Sequence, residues 1–356
     1  MNHRDTKFGS IYNTEEALIA FDALLSEAKA SSSKVFFLVD ENTHEQCLTR
    51  LLPELPNLGE YELLEVPPGE ESKSIEVAAQ LWSALAELGA NRQSILVNVG
   101  GGMITDLGGF IASTYMRGIR FCHIPTSLLG MVDASIGGKT AVDVAGVKNL
   151  VGAFAACEGV FLIPDFLETL PERELRSGFA EMLKHGLIRD ASHYSDLIRT
   201  GFEKVTPDQV RASMNIKLDV VESDPLEAGA RKELNFGHTL GHALESHFLE
   251  AYPHDPLLHG EAIAFGMWLE LELSVLSGLL DAEIAKAIQS DIASIFGRLA
   301  LPESEWESVT SWLKYDKKNT NHSVRFVLLE NVGKAVIDCS VDPSLIRRAY
   351  ENWQAS

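Results

Sequence analysis

Four side chains have the types and spacing of a divalent-metal site: Glu181, His238, His242 and His259. His238 and His242 stand four apart in NFGHTLGHALE, which puts both on one face of a helix. His259 opens LHGEAIAFGM, a second helix start, and Glu181 lies in GFAEMLKHG, on a third helix. A carboxylate with two imidazoles leaves coordination positions open for a reactant, as catalytic metal sites require. Spacing does not choose three ligands from the four. His247 and His254 read as exposed alternatives.

A second group is VNVGGGMITDLGGFIAS, where a buried strand runs into Gly100-Gly101-Gly102. Glycine lets a phosphate approach the backbone, and the helix that follows offers free N–H groups and the positive end of its dipole. The pattern is not GxGxxG, so the usual dinucleotide fingerprint does not apply. Asp40 and Asn42, after an earlier strand, are placed to meet a ribose, and Pro68-Gly69-Glu70 with Lys73 forms a loop of similar promise.

The third group is cationic. Lys139 follows Gly137-Gly138, Lys148-Asn149 comes soon after, and Lys184 lies one helical turn beyond Glu181. Arg231 and Asn235 sit one turn apart before His238; Lys217, Arg117 and the Lys317-Lys318 pair complete the set. Taken singly, each reads as a solvated surface charge. Several fall inside glycine-rich or histidine-bearing motifs, where an anionic substrate needs them.

The elements that must position these groups change character along the chain. Strand-like runs at Lys34–Val39, Ser94–Val99, Arg120–Ile124 and Gly159–Ile163 alternate with helical patterns over 13–31, 74–90 and from about Asp106. That alternation predicts an α/β domain with a mostly parallel sheet. After Pro164 the periodicity is helical, over 171–188, 207–222, 235–248, 260–279 and 282–298. Strand-like runs return only at Val324–Leu329 and Lys334–Ile337, so the second domain reads as mainly helical, with a boundary near 160–170.

At 356 residues the chain suits two cores. Its formal charge of −21 excludes nucleic-acid binding through a basic face. Four cysteines lie far apart with no CxxC pair, which argues against a disulfide framework or a thiolate metal site and for a reducing, cytoplasmic setting. The opening MNHRDTKFGS lacks the apolar core of a secretory signal. The apolar stretch 262–280 carries Glu270 and Glu272, which reads as a buried helix rather than a membrane span.

The longest ordered blocks are GGGMITDLGGFIASTYMRGIRF, IPTSLLGMVDASIGGKTAVD, KNLVGAF, LPERELRSGFAEMLKHGLI, NFGHTLGHALE and LHGEAIAFGM. On these blocks the sequence resembles the 3-dehydroquinate synthases of the sugar phosphate cyclase family, from about Val35 to Ala335. The resemblance implies a Rossmann-like NAD-binding α/β domain over 1–165 and an all-α metal- and substrate-binding domain over 166–356. It implies a lyase of the shikimate pathway that uses NAD catalytically with zinc or cobalt. It implies Glu181, His238 and His259 as ligands and moves His242 to the substrate phosphate. The NAD positions it implies are Asp40, Asn42, Glu70, Lys73, Gly101, Gly102, Asp106, Thr126, Leu129 and Thr169, with Asp133 and Lys139 where cofactor and substrate meet. Lys148 falls to both cofactor and substrate. The remaining substrate positions are Arg117, Asn149, Lys184, Lys217, Arg231, Asn235 and Lys317, with Lys318 as its less certain neighbour. A homodimer with no membrane or nucleic-acid partner is expected. The rival within the family is a 2-deoxy-scyllo-inosose or valiolone synthase. Lys217, Arg231, Asn235 and His242 favour a substrate bearing a carboxylate over that rival. Asp143-Val144-Ala145 departs from the Asn-containing stretch usual in the family.

Overall fold

A computed structural model describes residues 3–145, 147–313 and 324–355. The chain divides between Pro171 and Glu172 into two compact units.

The first unit is built on seven strands: β1 (His3–Thr6), β2 (Gly9–Asn13), β3 (Val35–Asp40), β4 (Tyr61–Val66), β5 (Ile95–Gly100), β6 (Arg120–Pro125) and β9 (Gly159–Leu162). Their order is β1-β2-β9-β6-β5-β3-β4, and only the β1–β2 pair is antiparallel. Helices α1 (Glu15–Ala30), α2 (Ile75–Glu87) and α3 (Gly102–Thr114) pack on this sheet. Both faces are covered, so β3 is buried along its whole length and reads as an apolar run. Phe36 and Leu38 join a cluster with Leu81, Leu85, Ile104 and Leu107, while Phe37 meets Phe21 of α1 edge-on. A separate antiparallel hairpin, β7 (Lys139–Val144) and β8 (Val147–Phe154), carries the Lys139 and Lys148-Asn149 motifs.

The strand order reverses between β3 and β5, because β4 lies on one side of β3 and β5 with β6 on the other. Loops at the carboxyl ends of parallel strands diverge at such a reversal and leave a crevice. The helix expected from about Asp106 begins at Gly102, with Thr105 N–H donating to Gly101 O at 3.1 Å, so the glycine turn belongs to its first turn.

The second unit holds α4 (Glu172–Arg189), α5 (Ala191–Thr200), α6 (Pro207–Ser223), α7 (His238–Ala251), α8 (His259–Leu276), α9 (Ala282–Phe296), α10 (Glu303–Trp312) and α11 (Pro343–Ala355). One antiparallel hairpin, β10 (Arg325–Asn331) with β11 (Lys334–Ser340), occupies the late strand-like runs. Helix α8 is buried on every side, as an apolar helix with no polar face must be. Two glycines set its closest crossings. A Cβ on Gly260 would lie 1.9 Å from Ser177 O of α4, and one on Gly266 would lie 2.0 Å from Gly237 O at the start of α7. Among the described residues, no helix is long and apolar enough to cross a membrane.

Candidate active site: a carboxylate–histidine centre and a strand-end crevice

Three helices of the second unit start or run where the metal-type residues meet. His238 is the first residue of α7, His259 the first of α8, and Glu181 lies midway along α4. Glu181 is fully buried, and its Oε1 stands 3.5 Å from both His238 Nε2 and His259 Nε2. Donors about 2.1 Å from a tetrahedral ion sit about 3.4 Å from one another, so this spacing is that of a ligand shell. The Nδ1–H of His238 donates to Phe236 O at 3.1 Å, and Nδ1 of His259 faces Glu245 Oε1 at 3.4 Å. Both contacts leave Nε2, the nitrogen aimed at Glu181, as the one that binds an ion. The residues present therefore fit a divalent metal. Burial acts to lower the pKa of His259, but Glu245 and Glu181 outweigh it and raise it to about 10.

His242 is close to the same group. Its ring centroid is 5.1 Å from that of His238 and 5.9 Å from that of His259, and His242, Glu245 and His259 form a second set with ligand spacing. Geometry thus leaves both His238 and His242 as candidate ligands, in two triads that share His259, the second completed by Glu245.

Three of the cations read singly as surface charges are not solvated. Lys184 and Arg231 are almost wholly buried and Lys217 nearly so. Lys184 forms an ion pair with Glu181 Oε2 one turn back on α4. Arg231 Nη1 donates to Pro225 O at 2.7 Å, and Asn235 Nδ2 donates to Glu227 Oε1 at 2.8 Å. The loop that presents them is wound around Asp224, which accepts the N–H groups of Ala228, Gly229 and Arg231. His247, read as exposed, is buried and bonded to Glu305 at 2.8 Å and Ser308 at 3.2 Å, so it serves the packing of α7 on α10.

In the first unit the expected nucleotide positions collect at the carboxyl ends of the strands. Asp40 ends β3 and caps the turn that holds Asn42, accepting Thr43 N–H at 2.9 Å. Gly101 and Gly102 follow β5, and Thr126 and Leu129 follow β6. Asp133 lies in a one-turn π-helix, Gly130–Ala134, a widened turn of the kind found at functional sites. Thr169 closes the short helical turn after β9. After β4, Lys73 is buried and paired with Asp106 Oδ2 at 2.7 Å and Glu70 Oε1 at 3.4 Å, while Lys148 reaches the same Glu70 oxygen at 3.3 Å. Burial works against the Lys73 charge, but Asp106, Glu70 and Asp143 prevail and its pKa is raised. Asn149 adopts a left-handed φ of 53° and donates its N–H to Asp143 Oδ1 at 2.6 Å. Lys139 opens β7 on the exposed side of the hairpin.

Arg117 is not gathered with this group. It precedes β6 on an exposed turn with φ 70°, while Thr126 follows the same strand. A six-residue strand spans about 20 Å, so the two lie at opposite ends of the sheet. Lys317 and Lys318 lie outside the described residues. Sequence reasoning passed over Asp224, Glu227 and Glu245. Of these only Glu245 left a signal: with His238 and His242 it forms an i, i+4, i+7 series on one helical face.

The chain matches the family model of the 3-dehydroquinate synthase N-terminal domain over residues 63–177 and that of the C-terminal domain over 178–319. It is 39% identical over 328 residues to a 3-dehydroquinate synthase of Parabacteroides distasonis, covering 91% of this chain and 92% of that protein. Among solved structures it is similar to a 2-epi-5-epi-valiolone synthase of Streptomyces hygroscopicus subsp. jinggangensis with NAD+ and Zn2+ bound. The TM-score is 0.86 and identity 26%, covering 99% of this chain and 98% of that one. A 2-deoxy-scyllo-inosose synthase complexed with carbaglucose-6-phosphate, NAD+ and Co2+ shares the fold, with TM-score 0.85 and 24% identity over 98% of this chain and 99% of that one. The same fold thus serves several cyclases, but the relatives of higher identity and both family models agree, and the chain belongs to the 3-dehydroquinate synthase family.

Proposed function

We propose that this chain converts 3-deoxy-D-arabino-heptulosonate 7-phosphate to 3-dehydroquinate and phosphate, with NAD and a divalent metal, zinc or cobalt. The observation that carries the reading is the Glu181–His238–His259 triad, with Lys184 paired to Glu181 and Lys217 and Arg231 buried in the same unit, in a chain whose net charge is −21. An acidic protein that binds a phosphate and a carboxylate must concentrate its positive charge in one place, and Lys184, Lys217 and Arg231 supply it.

The first unit holds NAD through its strand-end loops: Asp40 and Asn42 at a ribose, Gly101 and Gly102 at the phosphates, and Glu70, Lys73, Asp106, Thr126, Leu129 and Thr169 around them. Asp133 and Lys139 serve where cofactor and substrate meet, Lys148 serves both, and Asn149 serves the substrate. The second unit holds the metal through Glu181, His238 and His259, and the substrate through Lys184, Lys217, Arg231, Asn235 and His242, with Lys317 as a further contact. When bound, the two cofactors supply reversible hydride transfer and Lewis-acid polarisation of neighbouring hydroxyls. The residues orient the sugar and compensate the leaving phosphate; positioning and electrostatics are the protein's share of the catalysis. The active form is a cytoplasmic homodimer.

Supplying the heptulosonate phosphate with NAD and zinc or cobalt and measuring phosphate release tests the reading. No release, with turnover of glucose 6-phosphate or sedoheptulose 7-phosphate instead, would move the chain to the inosose or valiolone synthases.

A further inference from the structure

We infer that Arg173 is a positioning residue for the metal centre: it fixes the chain that delivers His259. The inference rests on the metal reading above. Arg173 lies in the first turn of α4, the helix that carries Glu181. Its guanidinium grips Glu261 with two parallel bonds, Nε to Oε1 and Nη2 to Oε2, each 2.8 Å. The same Nη2 donates to Pro256 O at 2.8 Å, and Nη1 reaches Asp255 Oδ1 at 3.3 Å. One side chain thus holds the loop before His259 and the first turn after it.

The other contacts around His259 complete the lock. Glu261 Oε2, already held by Arg173, accepts the N–H of Leu258 at 2.8 Å. On the far side, Gly260 N–H donates to Ser177 Oγ of α4 at 3.0 Å. The residues on both sides of His259 are therefore bonded, directly or through Glu261, to the helix that presents Glu181. A ligand shell tolerates about 0.5 Å of displacement, and the Tyr252–Leu258 loop has no regular structure of its own to hold that tolerance. Only a planar, forked donor makes both the bidentate grip and the carbonyl bond, which an ammonium cannot reproduce.

Arg173 is also well placed to separate positioning from folding. Its side chain is 44% exposed, so its loss opens no cavity in the core, and the metal-free stability of the variant reads the pair's own contribution separately. We expect full-length Arg173→Ala, stripped of metal, to unfold within a few degrees of the unaltered protein. Its zinc dissociation constant, from chelator competition, should rise about 10- to 100-fold, the range for residues that orient ligands. Arg173→Lys should recover only part of that loss, and the visible spectrum of the cobalt form should shift in both variants. If Arg173→Ala does not fold, Arg173→Lys decides the matter by the same zinc titration. A zinc constant within twofold of the unaltered protein in the variant that decides would overturn the inference. So would a loss of affinity matched by an equal collapse in metal-free stability. If the unaltered protein binds no zinc, or His259→Ala binds it equally well, the metal reading itself fails and takes this inference with it.

Discussion

His259 Nδ1 faces Glu245 Oε1 at 3.4 Å, across the gap between α8 and α7. The carboxylate fixes the ring and its tautomer, and leaves Nε2 aimed at Glu181. Glu245→Gln keeps the shape and removes the charge. We expect zinc affinity to fall about tenfold and the cobalt spectrum to change, with little loss of fold. Unchanged affinity in chelator competition would show that the ring is held by packing alone.

The two overlapping triads make opposite predictions for His238 and His242. We expect His238→Ala and His259→Ala to lose bound metal and activity. His242→Ala should retain one metal per chain and lose turnover through weaker substrate binding. Metal analysis of the three purified variants checks this; a metal-free His242→Ala with a metal-loaded His238→Ala would reverse the assignment.

Lys139 stands at the exposed start of β7, whereas Lys73 is buried and paired with Asp106. Lys139→Ala should therefore lower turnover, by about 100-fold for a charge-compensating group, while leaving NAD affinity near normal. Titration calorimetry with NAD beside a phosphate-release assay separates the two effects.

A buried histidine outside the site sets part of the pH dependence of stability. Burial lowers the pKa of His123 to about 3, against an ordinary value of 6.5, and the ring bonds to Asn98 at 3.2 Å. The unfolded chain takes up this proton as pH falls below about 6.5, while the folded chain does so only near pH 3. The unfolded state thus binds more protons in that window, and stability falls as pH is lowered through it, by about 1.4 kcal/mol per pH unit for this group. His123→Gln should flatten the slope of unfolding free energy between pH 6 and 4 relative to the unaltered protein. An identical slope in denaturant titrations would assign the loss to other groups.

The sequence determined more of the site than of its support. Strand–glycine–helix order, the His238/His242 spacing and the buried-strand pattern are local features, and local periodicity reports them directly. The edge strand β4 and the strand β8 were missed because their faces alternate or lie open, so no buried apolar run marks them. Only the tertiary structure decided that Lys184, Lys217 and Arg231 are buried rather than solvated, since burial depends on what other helices bring over a residue. The same holds for Glu270. Read along the chain, it is a charge that interrupts an apolar helix. Folded, it is fully buried and accepts the N–H groups of Gly237, Thr239 and Leu240 at 2.7, 3.1 and 3.3 Å. It caps the helix that begins with His238, and a carboxylate at that positive end offsets the dipole beside the cation site. The sequence offered the four candidate ligands; several contacts that support them come from far along the chain, Glu270 33 residues from Gly237 and Ser177 83 from Gly260, where periodicity carries no information.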